Sequence, residues 1–205
     1  KDLIDRRPPE DVAAVVLPVI GGADVARSRL EESLGLAEAL GVQLAFAEQL
    51  NVREPHPARL LGAGQLDALA RRFKDEGVTL FILDGALTPV QQRNLEMELK
   101  LKVVDRTGLI LEIFGLRART AEGRLQVEMA RSLYERSRLV RTWTHLERQR
   151  GGLGFLGGPG ESQLETDRRL LDKRIAGFKR DLEEVRRTRR LQREVRARRG
   201  APVAA

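Results

Sequence analysis

The chain has 205 residues, of which 33% are charged and 41% hydrophobic; that is enough apolar material for a core and excludes wholesale disorder. It has no cysteine and only two histidines, His56 and His145. This excludes a disulfide framework, a thiolate metal site and a cysteine nucleophile, and leaves almost nothing for a zinc site or a histidine-based triad. The net charge of +7 is unevenly placed: residues 1–105 hold 13 Lys+Arg against 17 Asp+Glu, net −4, whereas residues 106–205 hold 24 against 13, net +11. A strongly basic half attracts a polyanion, most often nucleic acid and sometimes a membrane surface.

Residues 13–20, AAVVLPVI, form a short apolar, β-branched run that predicts a strand. Residues 23–40 place Val25, Leu30, Leu34, Ala37 and Leu40 at helical spacing, with Gly41 as the stop. Residues 42–52 begin as a second strand, with Val42, Leu44 and Phe46 on one face. A loop, REPHPARLLGAG, leads to a helix over 65–76. VTLFILD, residues 78–84, is the clearest buried strand. The next helix is signposted by Thr88 as N-cap, Pro89 in the first helical position and Gln91 completing a capping box. LKVVDR, residues 101–106, is a fourth strand. Strands separated by helices need crossover connections, so the fold class is α/β, a mostly parallel four-stranded sheet flanked by helices.

After Arg106 the pattern becomes helical. Residues 107–118 predict a short apolar helix, and residues 121–148 a long one striped by Leu125, Met129, Leu139, Trp143 and Leu146. A glycine-rich stretch, QRGGLGFLGGPGES, follows. The last helix has Ser162 as N-cap, Glu165 three residues on, and a heptad seam of Leu164, Leu171, Ile175, Phe178, Leu182 and Val185. Two striped helices joined by a tight loop predict a long antiparallel α-helical hairpin, a coiled coil. The expected division is an α/β domain over 1–106, a hairpin over 107–199 with its tip loop at 149–162, and a truncated linker over 200–205. No apolar run reaches the roughly 18 residues that cross a bilayer and no signal peptide is visible, so no integral membrane association is expected and the chain reads as cytoplasmic.

The loop contains Gly152-Leu-Gly-Phe-Leu-Gly157, which matches the dinucleotide fingerprint in letters only. That motif needs a strand before it and a helix directly after it; here a charged helix precedes. Gly62-Ala-Gly64-Gln65 is a strand-to-helix turn rather than an anion cradle. Asp84 and Asp105 lie at strand ends but lack a nucleophile or acid partner in the sequence, so no catalytic residue and no metal or cofactor site is assigned. The tip loop suits nucleic acid. Arg148 and Arg150 flank it on one side and Arg168 and Arg169 on the other; Gly151, Gly152, Gly157 and Gly158 let backbone approach a surface; Phe155 and Leu156 supply a stacking or wedging pair.

The segments LTPVQQRNLE, VVDRTGLILEIF, RTAEGRLQVE and GPGESQLETDRR are long and specific, and the chain from about Ser28 to Arg199 resembles the amino-terminal region of the HflX family of ribosome-associated GTPases. The resemblance implies an α/β domain followed by a long helical hairpin. It implies that a GTPase domain, carrying GTP and magnesium, follows the arginine-rich helix. This chain begins at Lys1 and stops at Ala205 before any P-loop, so it reads as a fragment. The intact protein would bind the large ribosomal subunit and dissociate stalled or stress-arrested ribosomes, with residues 148–161 approaching the peptidyl-transferase region of its rRNA. Two departures stand out. Phe155-Leu156 occupies the place where the family usually has Thr-Arg, and Gln65 the place where it usually has lysine.

The leading expectation is therefore a ribosome-docking module without its own catalysis. Its partners would be the large subunit's rRNA and the protein's own GTPase domain. The alternative is a coiled-coil regulatory module that docks on a neighbouring GTPase domain. A small-molecule enzyme working at the strand ends is a third reading.

Overall fold

The computed structural model describes residues 11–20, 26–149 and 159–198. These form two compact units that divide between Leu116 and Arg117.

The first unit alternates strand and helix: β1 (Val12–Val19), α1 (Ala26–Leu40), β2 (Gln43–Asn51), α2 (Ala63–Asp75), β3 (Leu80–Leu83), α3 (Pro89–Leu99), β4 (Lys102–Asp105) and α4 (Arg106–Arg117). The sheet is parallel throughout, in the order β2-β1-β3-β4. The central strands read as unbroken apolar runs because both faces are covered; all four residues of β3 are buried. Ala14, Val16, Phe81, Leu83 and Val103 face α2 and α3. Ala13, Val15, Leu80, Ile82 and Val104 face α1 and α4. Phe73 of α2 sits between Phe46 and Phe81, with ring centroids 5.9 and 5.1 Å away.

Local signals place the helices. Thr88 caps α3 by accepting from the Gln91 amide, and Gln91 Oε1 in turn accepts from the Thr88 amide. Gly41, at φ +78°, stops α1 as the sequence indicates. Three expectations change. Leu44 is 42% exposed rather than sharing a buried face with Phe46, because a bulge in the β1–β2 register intervenes. An extra residue reverses the alternation of the strand. The boundary of the α/β domain lies later than 106, since Leu109 and Ile113 of α4 belong to the core on the α1 face of the sheet. The hairpin's second helix begins at Pro159, so Ser162 lies within it instead of capping it. Proline's fixed φ and missing N–H suit a first helical turn.

The two edges of the sheet differ. Val103 of β4 turns its amide and carbonyl outward, and α3 satisfies both: Glu96 Oε1 accepts from the amide at 3.3 Å and Gln92 Nε2 donates to the carbonyl at 2.8 Å. The β2 edge has its last carbonyl, that of Asn51, bonded by Gln65 Nε2 at 2.9 Å.

The second unit contains α5 (Ala121–Gln149) and α6 (Pro159–Arg198). Ion pairs set their direction. Glu122, at the start of α5, meets Arg186 and Arg189 near the end of α6, while Arg136, further along α5, meets Asp172, nearer the start of α6. The helices are thus antiparallel, as the sequence predicts. Leu171, Ile175 and Leu182 are buried along the α6 seam. On α5, Ser132 is buried, at 2% exposed.

Candidate nucleic-acid interface

The sheet offers one place where α/β folds hold ligands, the crevice beyond the carboxyl ends of β1 and β3. The groups described there are engaged with one another. Asp84 follows β3 and is 1% exposed. Its carboxylate accepts from Arg106 Nη1 at 2.9 Å and from the Ser33 hydroxyl at 2.6 Å, with Arg29 3.8 Å away. Arg106 also pairs with Glu32. The Asp84 carboxylate raises the Arg106 guanidinium above its ordinary pKa; burial opposes this and Glu32 reinforces it. Pro18, which lacks an amide to continue the β1–β3 ladder, lies against Gly85, where a Cβ would come within 3.3 Å of the proline ring. Asp105 caps α4 by accepting from the Gly108 amide at 2.8 Å. Both aspartates thus fasten helices to strand ends.

A cleft of about 340 Å³ lies between β2 and α2, floored by Leu50, Ala68 and Leu69. Its acid, Glu48, is bound by Arg72 at 2.8 Å, and Arg72 stacks over Phe46 at 3.5 Å. The Gly62–Gly64 turn opens α2: the Gly62 amide donates to Gln65 Oε1 at 3.1 Å, so the side chain of the helix itself takes the role that an anion would have. His56 accepts from the Ala58 amide at 3.2 Å and shapes its loop. Among the described residues no group of three His, Asp or Glu could hold a metal ion, and none of their helices is long and apolar enough to cross a membrane.

The basic residues of the helical unit are differently placed. Arg168 and Arg169 are exposed on α6, off its seam. Arg169 lies 3.5 Å from Glu165 in a surface pair one turn apart, which holds it weakly. Arg148 is in the last turn of α5. Arg150, Gly151, Gly152, Phe155, Leu156, Gly157 and Gly158 lie outside the described residues, as do the side chains of Arg148, Trp143, Leu146, Leu164 and His145. The structure therefore brings Arg168 and Arg169 onto one exposed helix surface and does not bear on the rest of the tip. Sequence reasoning missed the burial of Ser132, whose polar hydroxyl breaks the apolar stripe, and the network around Asp84, whose members are far apart in the chain.

Comparison with known proteins matches both units. Residues 27–115 fit the family model "GTP-binding GTPase N-terminal" and residues 117–196 fit "GTP-binding GTPase Middle Region". The chain is 53% identical over 173 residues to a GTPase HflX of Magnetococcus marinus, covering 84% of this chain and 40% of the relative. It is 44% identical over 190 residues to GTPase HflX of Escherichia coli strain K12, covering 93% and 44%. The crystal structure of the SsGBP and GDP complex shares the fold at a TM-score of 0.66 and 21% identity, covering 88% of this chain and 45% of that one. A GTP-binding protein from Sulfolobus solfataricus in complex with GDP does so at 0.62 and 22%. The chain spans less than half the length of the HflX relatives named here. With both family regions matched end to end and relatives this similar, the chain belongs to the HflX family, of which it comprises the N-terminal and middle regions.

Proposed function

We propose that this chain is the ribosome-docking part of an HflX-type GTPase, with the helical unit as its RNA-contacting arm. One observation carries the reading: the unit holding the chain's excess of positive charge is a slender hairpin whose α6 arginines face solvent over most of its length. Exposed guanidinium groups on a rod suit the phosphates of a folded RNA, which proteins recognise largely through shape and backbone. In this reading Arg148, Arg150, Arg168 and Arg169 hold phosphates around the tip. The Gly151–Gly152 and Gly157–Gly158 pairs allow close backbone approach, and Phe155-Leu156 stacks on or wedges between unpaired bases. The intact cytoplasmic protein would couple GTP and magnesium, held in a following domain, to dissociation of stalled ribosomes. This chain would not hydrolyse GTP itself, since it has no Gly-Lys pair from which a P-loop is built.

The test is sedimentation of the purified chain with separated ribosomal subunits. Saturable, salt-sensitive binding to the large subunit is the expected result; absence of binding, or equal binding to both subunits, refutes the reading. A second reading has its own observation. Leu191 and Val195, 50% and 46% exposed, form a small apolar face at the end of α6, which suits docking on a neighbouring GTPase domain. Such docking would respond little to salt.

A further inference from the structure

The α6 seam changes character where α5 begins. Leu171, Ile175 and Leu182 are buried and Phe178 and Val185 half-buried. Continuing the same alternation of four- and three-residue steps past Val185 gives Arg189, Gln192 and Arg196. Arg186 and Arg189 still reach α5, both through Glu122 in its first turn. Beyond them α6 runs on to Arg198, every residue exposed. On a helix of about 3.6 residues per turn, Arg186, Arg189, Arg190, Arg193 and Arg196 fall within one arc of roughly 120°. The opposite side carries Arg187, Leu191, Val195 and Arg198. The face that is apolar against α5 thus becomes an arginine stripe once α5 is no longer there to cover it.

We propose that this stripe, centred on Arg190, Arg193 and Arg196, is a second RNA-backbone contact, separate from the hairpin tip. The inference rests on the RNA-docking reading above and adds a site to it. Two observations favour a phosphodiester backbone over an acidic protein surface. Residues 186–198 hold seven arginines and one glutamate, and the stripe is linear, matching a continuous line of anions. A protein partner seated on this face would also meet no apolar anchor at its centre, because Leu191 and Val195 lie on the other side. Arg190 is drawn toward Glu194 at 3.9 Å; Arg193 and Arg196 have no ion-pair partner among the described residues. The stripe lies roughly 50 Å along α6 from its first residue. Two contacts so far apart on one stiff rod reinforce each other only on an RNA that presents phosphates at both places.

The experiment is a salt titration of binding to large-subunit rRNA, using the full chain and two double variants of equal charge. Arg193→Ala with Arg196→Ala removes two stripe contacts; Arg187→Ala with Arg198→Ala removes two arginines from the opposite face. The stripe variant should reduce the slope of log affinity against log salt by about 1.4–1.8, at roughly 0.7–0.9 per phosphate, and weaken binding about tenfold at low salt. The opposite-face variant should keep the slope of the unaltered chain. Equal losses in both variants would overturn the proposal in favour of diffuse charge, and an unchanged slope in the stripe variant would overturn it outright. Competition by poly-glutamate as effective as that by RNA would assign the stripe to an acidic protein instead. If the unaltered chain fails to bind rRNA, the docking reading fails as well. If Arg168→Ala with Arg169→Ala abolishes binding while the stripe variant binds normally, only the second contact is lost.

Discussion

The α/β unit and the helical unit bury their residues in opposite ways. The sheet is covered on both faces, and its few buried polar side chains, Ser33, Asp84, Gln91 and Asp105, are bonded to neighbouring residues. The hairpin buries a single file of side chains on α6 and leaves most of its surface, largely charged, in water. A scaffold whose buried polar side chains are nearly all engaged, Gln92 Oε1 being the exception among its described residues, has little left with which to bind. A thin, highly charged rod has little core and much to offer a partner. The contrast teaches where to look for function: in the unit that is poorer in core.

The largest expected effect tests the closed half of this contrast. Asp84→Ala removes the acceptor of Arg106 and Ser33 and leaves a half-buried guanidinium with one partner fewer. It should destabilise the α/β unit by about 3 kcal/mol, read by thermal or urea denaturation. Helical content and RNA binding of the hairpin should persist, and a simultaneous loss of RNA binding would break the division of labour between the units. Ile175→Ala comes next. Deleting a buried seam side chain should cost about 2 kcal/mol, the low end of the usual range because the seam is narrow and can relax. The readout is the helical signal on heating, together with weaker rRNA binding as the two helices part. Arg168→Ala with Arg169→Ala should have the smallest effect on stability. Both residues are exposed and off the seam, so the melting temperature should stay put while the salt dependence of rRNA binding flattens by about 0.7–0.9 per lost contact. A shifted melting temperature with an unaltered salt slope would place these arginines among the structural residues.

Much of this was legible in the sequence where the signal is local. Thr88, Pro89 and Gln91 fix the start of α3 because capping involves residues within four positions. Leu80 to Leu83 identify a central strand because a doubly covered sheet needs an unbroken apolar run. What escaped is what depends on a distant partner. Leu109 and Ile113 have the spacing of any buried helix face, and nothing in that spacing says whether a sheet or another helix covers it. Leu44 obeys strand alternation until a bulge reverses it. Arg106, Asp84 and Ser33 come from three elements and meet only when the chain is folded. For the proposed RNA interface, the charge asymmetry and the arginines that flank the tip were legible as candidates. Which α6 arginines pair with Glu122 of α5 and which lie beyond it was not, because that depends on where α5 begins.

The sealed edge of β4 makes the Val103 amide a reporter. It belongs to an edge strand, yet its proton is held by Glu96 of α3 rather than by another strand. Its hydrogen-exchange rate therefore measures how often α3 lifts from the sheet, independently of whether the strands separate. The amides by which β3 and β4 pair, in contrast, exchange only when the sheet itself opens. Comparing these rates in the free chain and on the ribosome would show whether docking of the helical unit is felt in the sheet or stops at its own arginines.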